Sequence, residues 1–508
     1  METKEIYMED LLNLMDSNIL RDCMIEITNK CPFLCDHCYV DNAEIKKLDL
    51  DQFKNIIDQL ITLKCNSILI TGGEPLLHPQ FCDMYVYAKE RGFFVSINSN
   101  LFYLNDKIKK LFLKYKPDLI EISLYGYDDE SYYNFTHVKK SYNNVIKNLD
   151  FLYNNNINFN LKTTLTTKNY YYLDELEKIS LKYNKEFRYD YLVFPSFNND
   201  KTYKPNPYRL KPEQIVEILK KPNNKTIFEK QVKETIENQF NVEKLNTVFN
   251  CSMGNGKIYI DSSYNVRPCV VVQESFNLNE YTISETLEKI KEFKCNVKLK
   301  DDYKCMNCAK RKLCRYCPAR FYLETHDYCN PPEFYCNLSN LIMNTFEKKF
   351  VFKTFDYNNK IDLDSCSKMH EILKNDYIRQ NGIETYNNSF DNDGFEKWVE
   401  MLRNDENYNI ILCFDDDKLI GFLCYMIIDN DIILCEIQII PEYQKKYGIF
   451  RKLFKELPKY DNISNVKGTI KKDNLHSIEC FTNMGMKNTN GLWYEMTYID
   501  FKNWLNNK

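Results

Sequence analysis

From Cys23 to about Pro195, short runs of β-branched and apolar residues alternate with longer amphipathic stretches. The runs are CMIEIT, SILIT, FFVSIN, LIEISL, FNLKTTLT and FRYDYLVF, and between them segments such as Asp51–Leu63 and Tyr142–Leu152 carry apolar residues at helical spacing. Six such units predict an α/β fold over residues 20–200, a partial barrel or open sheet of parallel strands with chemistry at the C-terminal strand ends. Residues 1–19 stand before it as an N-terminal segment. After Ser196 the alternation stops: turn-rich SFNNDKTYKPNPYR and a helix from Lys211 predict a connector over 201–250. Residues 251–345 hold too many cysteines for an ordinary apolar core, so metal is expected to hold this segment together. From about Phe352 a helical region leads into the hairpin pattern NIILCFDDDKLIGFLCYMIIDNDIILCEIQII. A helix, a strand, a helix and a final strand, GLWYEMTYI, then complete an α+β domain over 352–508.

The 508-residue length fits several domains, and 44% hydrophobic with 28% charged residues excludes a wholly disordered chain. Lys+Arg 68 against Asp+Glu 72 gives a net charge of -4, which argues against a generally basic nucleic-acid binder. The most apolar region, Ile410–Ile440, is broken by Asp415-Asp416-Asp417 and Asp429-Asn430-Asp431, so no membrane span is expected. The acidic N-terminus lacks the pattern of a signal peptide, and a cytoplasmic location is the expectation. Twenty cysteines in a reducing compartment read first as metal ligands or catalytic thiols, not as a disulfide framework.

Cys31, Cys35 and Cys38 form CxxxCxxC directly after the first strand. Three thiolates are one short of a closed tetrahedral site, which suits a 4Fe-4S cluster with one iron left open better than structural zinc. Gly72-Gly73-Glu74-Pro75 ends the second strand. Glycines there would let a ligand approach the backbone, and a buried carboxylate can accept hydrogen bonds from an amino group.

With these residues the chain resembles the radical SAM superfamily over about residues 20 to 200. The resemblance implies that Cys31, Cys35 and Cys38 bind the cluster, whose free iron chelates S-adenosylmethionine. An injected electron then yields a 5′-deoxyadenosyl radical that abstracts a hydrogen atom from substrate. It also implies that Glu74 holds the methionine amino group, that Ser99, Asn100 and Ser123 are polar contacts to the cofactor, and that Arg188 binds the methionine carboxylate. Members usually have an aromatic residue before the third cysteine; here it is His37, whose ring can still stack on adenine.

A second constellation, Cys305-x2-Cys308-x5-Cys314-x2-Cys317, lies between Cys251 and Cys269 upstream and Cys329 and Cys336 downstream. A zinc ribbon would space its pairs more widely, leaving zinc the second choice. The lysines and arginines among these cysteines read as a basic collar around anionic thiolates. The segment resembles the SPASM extension of peptide- and protein-modifying radical SAM enzymes, which carries auxiliary 4Fe-4S clusters. By that resemblance Cys305, Cys308, Cys314 and Cys336 bind one, and Cys251, Cys269 and Cys317 most of another, whose fourth ligand is Cys329, Cys295 or a substrate atom. Two positions depart from the family pattern: the last pair is CxxC where CxxxC is usual, and Tyr264 replaces a glycine.

In the last domain, EIQII leads into Pro441-Glu442-Tyr443-Gln444-Lys445-Lys446-Tyr447-Gly448-Ile449-Phe450, a basic, glycine-containing helix start suited to a pyrophosphate. With the hairpin order and the Asn474–Met486 segment, it resembles the GNAT acetyltransferases. The resemblance implies that backbone around Lys445, Lys446, Gly448 and Phe450 cradles acetyl-CoA, that Asn474 contacts it, and that Glu436 is a general base. The tyrosine that commonly protonates the departing thiolate is Phe481 here, which favours acetyl-CoA binding over transfer. Together these resemblances imply a maturase of a ribosomally made precursor peptide, served by a reductant such as flavodoxin or ferredoxin. The alternatives are maturation of a folded protein of sulfatase type, small-molecule radical chemistry, and a zinc-stabilised binding module fused to an acetyltransferase.

Overall fold

Alternate residues of each predicted strand are apolar, and this period of two sets the architecture. The structure, a computed structural model, describes residues 20–506 except 41–43, 194, 196–205, 239–241, 252, 255, most of 357–406, 445–447, 461, 471 and 473. The six runs form parallel strands: β1 (Asp22–Thr28), β2 (Ser67–Gly72), β3 (Phe94–Ser99), β4 (Leu119–Ser123), β5 (Phe159–Thr164) and β6 (Phe187–Asp190). Among the connecting helices are α1 (Leu50–Thr62), α2 (Phe81–Glu90), α3 (Asp106–Lys114), α4 (Asp129–Thr136), α5 (Ser141–Asn154) and α6 (Leu173–Lys182). In β3 and β4, Val95, Ile97, Ile120 and Ile122 are buried, while Ser96, Asn98, Glu121 and Ser123 line a cavity.

Local chemistry fixes the helix starts. Asp49 and Gln52 form a reciprocal capping box on α1, Asp128 and Ser131 do so on α4, and Asn105 caps α3. The apolar stripe of α1, Phe53, Ile56, Ile57 and Leu60, is wholly buried.

The cysteine-rich segment is not a separate layer. Its first strand, β7 (Lys257–Ile260), pairs in parallel with β1, and β8 (Asn265–Arg267) and β9 (Phe276–Asn277) extend the sheet to the order β6-β5-β4-β3-β2-β1-β7-β8-β9. The junction contains Glu26, a buried carboxylate that accepts hydrogen bonds from Tyr259 Oη (2.5 Å) and Ser262 Oγ (2.6 Å). Helices α7 (Pro212–Leu219), α8 (Pro222–Glu237), α9 (Ile283–Asn296), α10 (Pro318–Thr325) and α11 (Glu333–Phe346) complete this part of the chain.

The described residues fall into two units, 1–224 with 243–342, and 225–242 with 343–508. The connector expected over 201–250 is therefore divided: α7 belongs to the first unit and most of α8 to the second. The second unit contains a seven-stranded sheet, β10 (Val351–Thr354), β11 (Tyr408–Asp415), β12 (Lys418–Ile428), β13 (Asp431–Ile439), β14 (Asn465–Thr469), β16 (Trp493–Thr497) and β15 (Lys487–Asn490), in that spatial order. Helices α12 (Ile449–Lys455) and α13 (Leu475–Met484) belong to this unit, whose core includes Leu453, Phe454, Val466 and Phe481. GLWYEMTYI is not the last element: its end turns into helix α14 (Tyr498–Asn506), which buries Phe501.

One close approach positions the cysteine loop. A β-bulge between Glu26 and Thr28 carries β1 across the end of β2, where Gly73 N–H donates to Thr28 O (2.8 Å) and Glu74 N–H to Lys30 O (2.8 Å). A β-carbon on Gly72 would overlap Thr28 O, and one on Gly73 would overlap Asn29 O and meet Lys30 O at 2.5 Å. The glycines thus admit the chain's own backbone.

Gly73→Ala is expected to cost about 1–3 kcal/mol through this overlap. Ile97→Ala, at a fully buried outward position of β3, should cost about 2–5 kcal/mol through its cavity. Urea unfolding followed by circular dichroism checks both, and a transition unchanged from the parent protein would contradict them.

Candidate active site and cysteine clusters

Cys31, Cys35 and Cys38 lie on the loop that the two glycines support, each partly buried. The loop is held at several points. Leu34 N–H donates to Thr136 O (3.0 Å), Cys38 N–H donates to Cys35 O (3.0 Å), and the Asp36 carboxylate meets His137 Nε2 (3.3 Å) and pairs with Lys168. Burial pushes the Cys31 thiol up to about 12, with the charges of Glu74 and Cys38 adding to the effect. Burial likewise raises Cys35, where the neighbouring charges are Cys38 and Cys31, and it raises Cys38. The three thiols are therefore mutual neighbours that resist ionising together.

Two N–H groups are turned towards one of these sulfurs: Phe33 N–H lies 3.4 Å from Cys31 Sγ and Asn100 Nδ2 3.6 Å from it. Partly buried thiols with donors aimed at sulfur fit a cationic inorganic cluster that displaces their protons on binding. Among the described residues, no three His, Cys, Asp or Glu side chains converge as ligands of a single metal ion.

Glu74 is 0% exposed. Its Oε1 accepts from Leu76 N–H (3.0 Å) and Ser99 Oγ (2.9 Å), and its Oε2 from Asn100 N–H (2.7 Å). Burial raises its pKa to about 7 even though all three hydrogen bonds favour the ionised form. The carboxylate and the Ser99 hydroxyl, both expected to meet a cofactor, tie the end of β2 to the end of β3. The Asn100 amide faces Cys31, with Nδ2 3.6 Å from its sulfur. The reason is topological, because adjacent parallel strands end side by side and bring these groups within hydrogen-bond reach of one another.

The cavity beside the loop has a volume of about 610 Å³ and crosses the strands from Asp22 and Ser67 to Ser123, Tyr125 and Thr164. Ser123 lines it. Arg188 also lines it, but its guanidinium is paired with Glu121, a partner that competes with the carboxylate role expected for it. Lys162 approaches the same Glu121 at 3.7 Å and donates to Asn98 Oδ1 at 2.9 Å. Opposed by the cations, Glu121 stays below the usual carboxylate range despite its burial. His37 sits between Tyr125 and Phe135, with ring centroids 5.6 and 5.2 Å away, and burial lowers its pKa to about 4, leaving the ring neutral. Sequence reasoning passed over Glu121, Tyr125 and Lys162. The strand period was the available signal, since it puts Glu121, Ser123 and Tyr125 on one face.

Seven further cysteines gather in two groups. Cys305, Cys308, Cys314 and Cys336 lie near one another: burial raises the thiols of Cys305 and Cys314 to about 12, and the charges of the other members add to it. Cys336 is raised by burial and by Cys308, and is opposed by Lys310 and Lys304, as a basic collar would do. Cys251, Cys269 and Cys317 form the other group: Cys317 raises both Cys251 and Cys269 after burial has done so. Cys329 has Asp327, Lys300 and Asp302 around it and lies 3.6 Å from Lys298 O.

In the second unit, Glu436 lies on β13 opposite Cys424 of β12, and its Oε1 accepts from Gln438 Nε2 (2.7 Å). Gly448 adopts a left-handed conformation at the start of α12. Lys445 and Lys446 lie outside the described residues. The Phe450 ring packs edge-on against Phe454, with centroids 5.1 Å apart, so only its backbone remains for the role expected of it. Asn474 caps α13, its Oδ1 accepting from Ser477 N–H (3.1 Å). Its side-chain oxygen is engaged locally, where a cofactor contact was expected. Among the described residues, no helix is long and apolar enough to cross a membrane.

Comparison with known proteins adds the family. Residues 25–180 match the model of the Radical SAM superfamily. The AdoMet-dependent heme synthase of Methanosarcina barkeri is 22% identical over 333 residues, 61% of this chain and 94% of the relative. The antilisterial bacteriocin subtilosin biosynthesis protein AlbA of Bacillus subtilis is 25% identical over 171 residues, 33% of this chain and 38% of AlbA. Streptococcus suis SuiB, solved bound to its precursor peptide SuiA, superposes with a TM-score of 0.50 at 15% identity, covering 65% of this chain and 78% of SuiB. The family match sets aside the reading of the chain as a zinc-stabilised binding module fused to an acetyltransferase. A cysteine triad at the end of β1, propped by the paired glycines of β2 beside an open cavity, and the family match across the same strands lead to one conclusion: the chain is an enzyme of the radical SAM superfamily.

Proposed function

We propose that this enzyme modifies a ribosomally synthesised peptide by hydrogen abstraction. The observation that carries the reading is the neighbouring Cys31, Cys35 and Cys38 thiols at the strand ends beside the 610 Å³ cavity. The triad would hold a 4Fe-4S cluster through three sulfurs. When bound, that cluster with S-adenosylmethionine supplies an electron and then a carbon radical able to take a hydrogen atom from substrate. The chain's own contribution is placement. Glu74, by its bonds to Leu76, Ser99 and Asn100, fixes the two strand ends against which the loop lies. Neutral His37, flanked by Tyr125 and Phe135, offers an apolar face on which an adenine ring can rest. Lys162 and Arg188, counterbalanced by Glu121, give the cavity a polar wall for a carboxylate or a peptide group.

The peptide substrate is supported by the fold shared with a structure that holds its own precursor peptide, and by a bacteriocin-biosynthesis relative. The two further cysteine groups would hold auxiliary clusters, one through Cys305, Cys308, Cys314 and Cys336, the other through Cys251, Cys269 and Cys317 with a fourth ligand from elsewhere. A flavodoxin or ferredoxin would supply electrons. A second reading, chemistry on a small molecule, is favoured by the heme synthase relative, 94% of which is matched.

For the second unit we infer acetyl-CoA binding. Strand β13 pairs with β14 from Asp431 to Leu434, and the stretch from Glu436 to Ile439 runs on beyond that pairing. Such a splay beside the turn at Gly448 would admit a pantetheine arm, with Glu436 at its edge. Phe481 is buried in the core and packs against Gly468, so it supplies no acid for a departing thiolate, which favours binding over transfer.

Anaerobic reconstitution should load iron and sulfide, and dithionite should release 5′-deoxyadenosine from S-adenosylmethionine. Cys31→Ala should abolish that release by more than about a hundredfold, as expected when a ligand shell is broken. An iron-replete parent protein that releases none would defeat the proposal. Mass spectrometry with peptides encoded beside the gene, against porphyrin substrates, separates the peptide from the small-molecule reading. In titration calorimetry acetyl-CoA should bind, and Glu436→Gln should leave that binding within about threefold, since a base acts on the acceptor amine and not on the thioester carrier.

A further inference from the structure

Cys35 to Cys38 is a single turn, closed by Cys38 N–H donating to Cys35 O (3.0 Å), so two of the three triad cysteines are its first and last residues. Asp36 stands between them, and whatever holds Asp36 holds both. Three parts of the chain converge on it. Lys168, beyond the end of β5, pairs with its Oδ2. His137, directly after α4, has Nε2 3.3 Å from its Oδ1. Asn206 Nδ2 donates to its backbone carbonyl (3.1 Å). Lys168 is itself set in place. Its backbone N–H donates to Thr166 Oγ1 (3.1 Å), in a turn fastened by the fully buried Asn169, whose Oδ1 accepts from Thr166 N–H (2.7 Å). Its ammonium lies over the Tyr208 ring, 4.5 Å from the centroid, and Tyr208 N–H donates to Asn206 Oδ1 (2.9 Å). The cation and the carbonyl donor therefore share one support.

We propose that Lys168 is a positioning residue: by pairing with Asp36 it fixes the Cys35–Cys38 turn and cancels a carboxylate charge that would otherwise lower the reduction potential of the cluster held there. The Asp36 side chain is 13% exposed, so water and salt screen its charge weakly. A negative charge one residue from a ligand sulfur opposes the arrival of an electron and favours the oxidised cluster, and a cation set against it removes that bias. The proposal rests on the cluster assignment made for Cys31, Cys35 and Cys38, and adds to it the ion pair that sets the charge beside it.

Redox titration of the reconstituted full chain, followed by electron paramagnetic resonance on the signal that changes when S-adenosylmethionine is added, tests this. Lys168→Met leaves Asp36 uncompensated. At the parent midpoint its ratio of reduced to oxidised cluster should fall by about tenfold, a shift of ~59 mV to the negative side for one electron. Asp36→Asn leaves the lysine uncompensated and should shift the midpoint to the positive side. The double variant removes both charges, and Lys168→Arg keeps both, so each should lie within about threefold of the parent ratio. The same signs are expected in a His137→Gln background, where no imidazole can take up a proton in place of the lysine. A pair that served packing alone would move both single variants in one direction and leave the double variant no nearer the parent. That result would overturn the proposal, as would single variants at the parent midpoint with full iron loading. If Lys168→Met fails to load iron, Asp36→Asn and the double variant carry the sign test. A parent protein that takes up no iron would instead defeat the cluster assignment itself.

Discussion

The paired glycines at the end of β2 let the backbone from Thr28 to Lys30 come closer than any side chain would permit, and the site depends on that approach. The hydrogen bonds from Gly73 to Thr28 and from Glu74 to Lys30 lock the two strand ends together immediately before Cys31. Glu74 then extends the lock sideways to β3. A buried carboxylate is expensive unless its acceptors are filled, so one that receives three donors acts as a rigid connector between neighbouring segments. The cysteine loop inherits its position from strands on both sides of it.

The electrostatics around the loop follow from the same packing. Burial raises the three thiols, and their mutual repulsion raises them further, so as free thiols they are neutral and a bound cation must displace their protons. The two downstream groups repeat the arrangement with a difference. Lys304, Lys310 and Arg311 stand close enough to oppose the negative charge of Cys336 and Cys305. At the triad, Cys31 instead has neutral donors turned towards it, Phe33 N–H and the Asn100 amide.

The cysteine-rich segment is joined to the six parallel strands by covalent continuity and also through the sheet. Pairing of β7 with β1 places Tyr259 and Ser262 on Glu26, whose charge also reaches Cys38, so the segment's first hairpin extends the sheet that carries the site. In the second unit the same kind of constraint explains two displaced assignments. Phe450 is taken up by packing with Phe454, and Asn474 by capping α13, because an apolar ring and a free helix N–H are satisfied by the nearest available partner.

The sequence by itself determined the six-fold alternation of strand and helix, the hairpin-rich last domain and the presence of a three-cysteine site after the first strand. Periodicity and close spacing are local properties, and local properties survive without a fold. It also led to the division of the later cysteines into two sets, although spacing alone could not have joined Cys336 to Cys305 across a helix. Only the tertiary structure turned Glu74 and Ser99 inward, paired Arg188 with Glu121, aimed Asn100 at Cys31 and set Tyr125 against His37 and Phe135. Each of these depends on which strand ends lie side by side, and a hydrogen bond needs its partner within about 3 Å, a distance that no separation along the chain encodes.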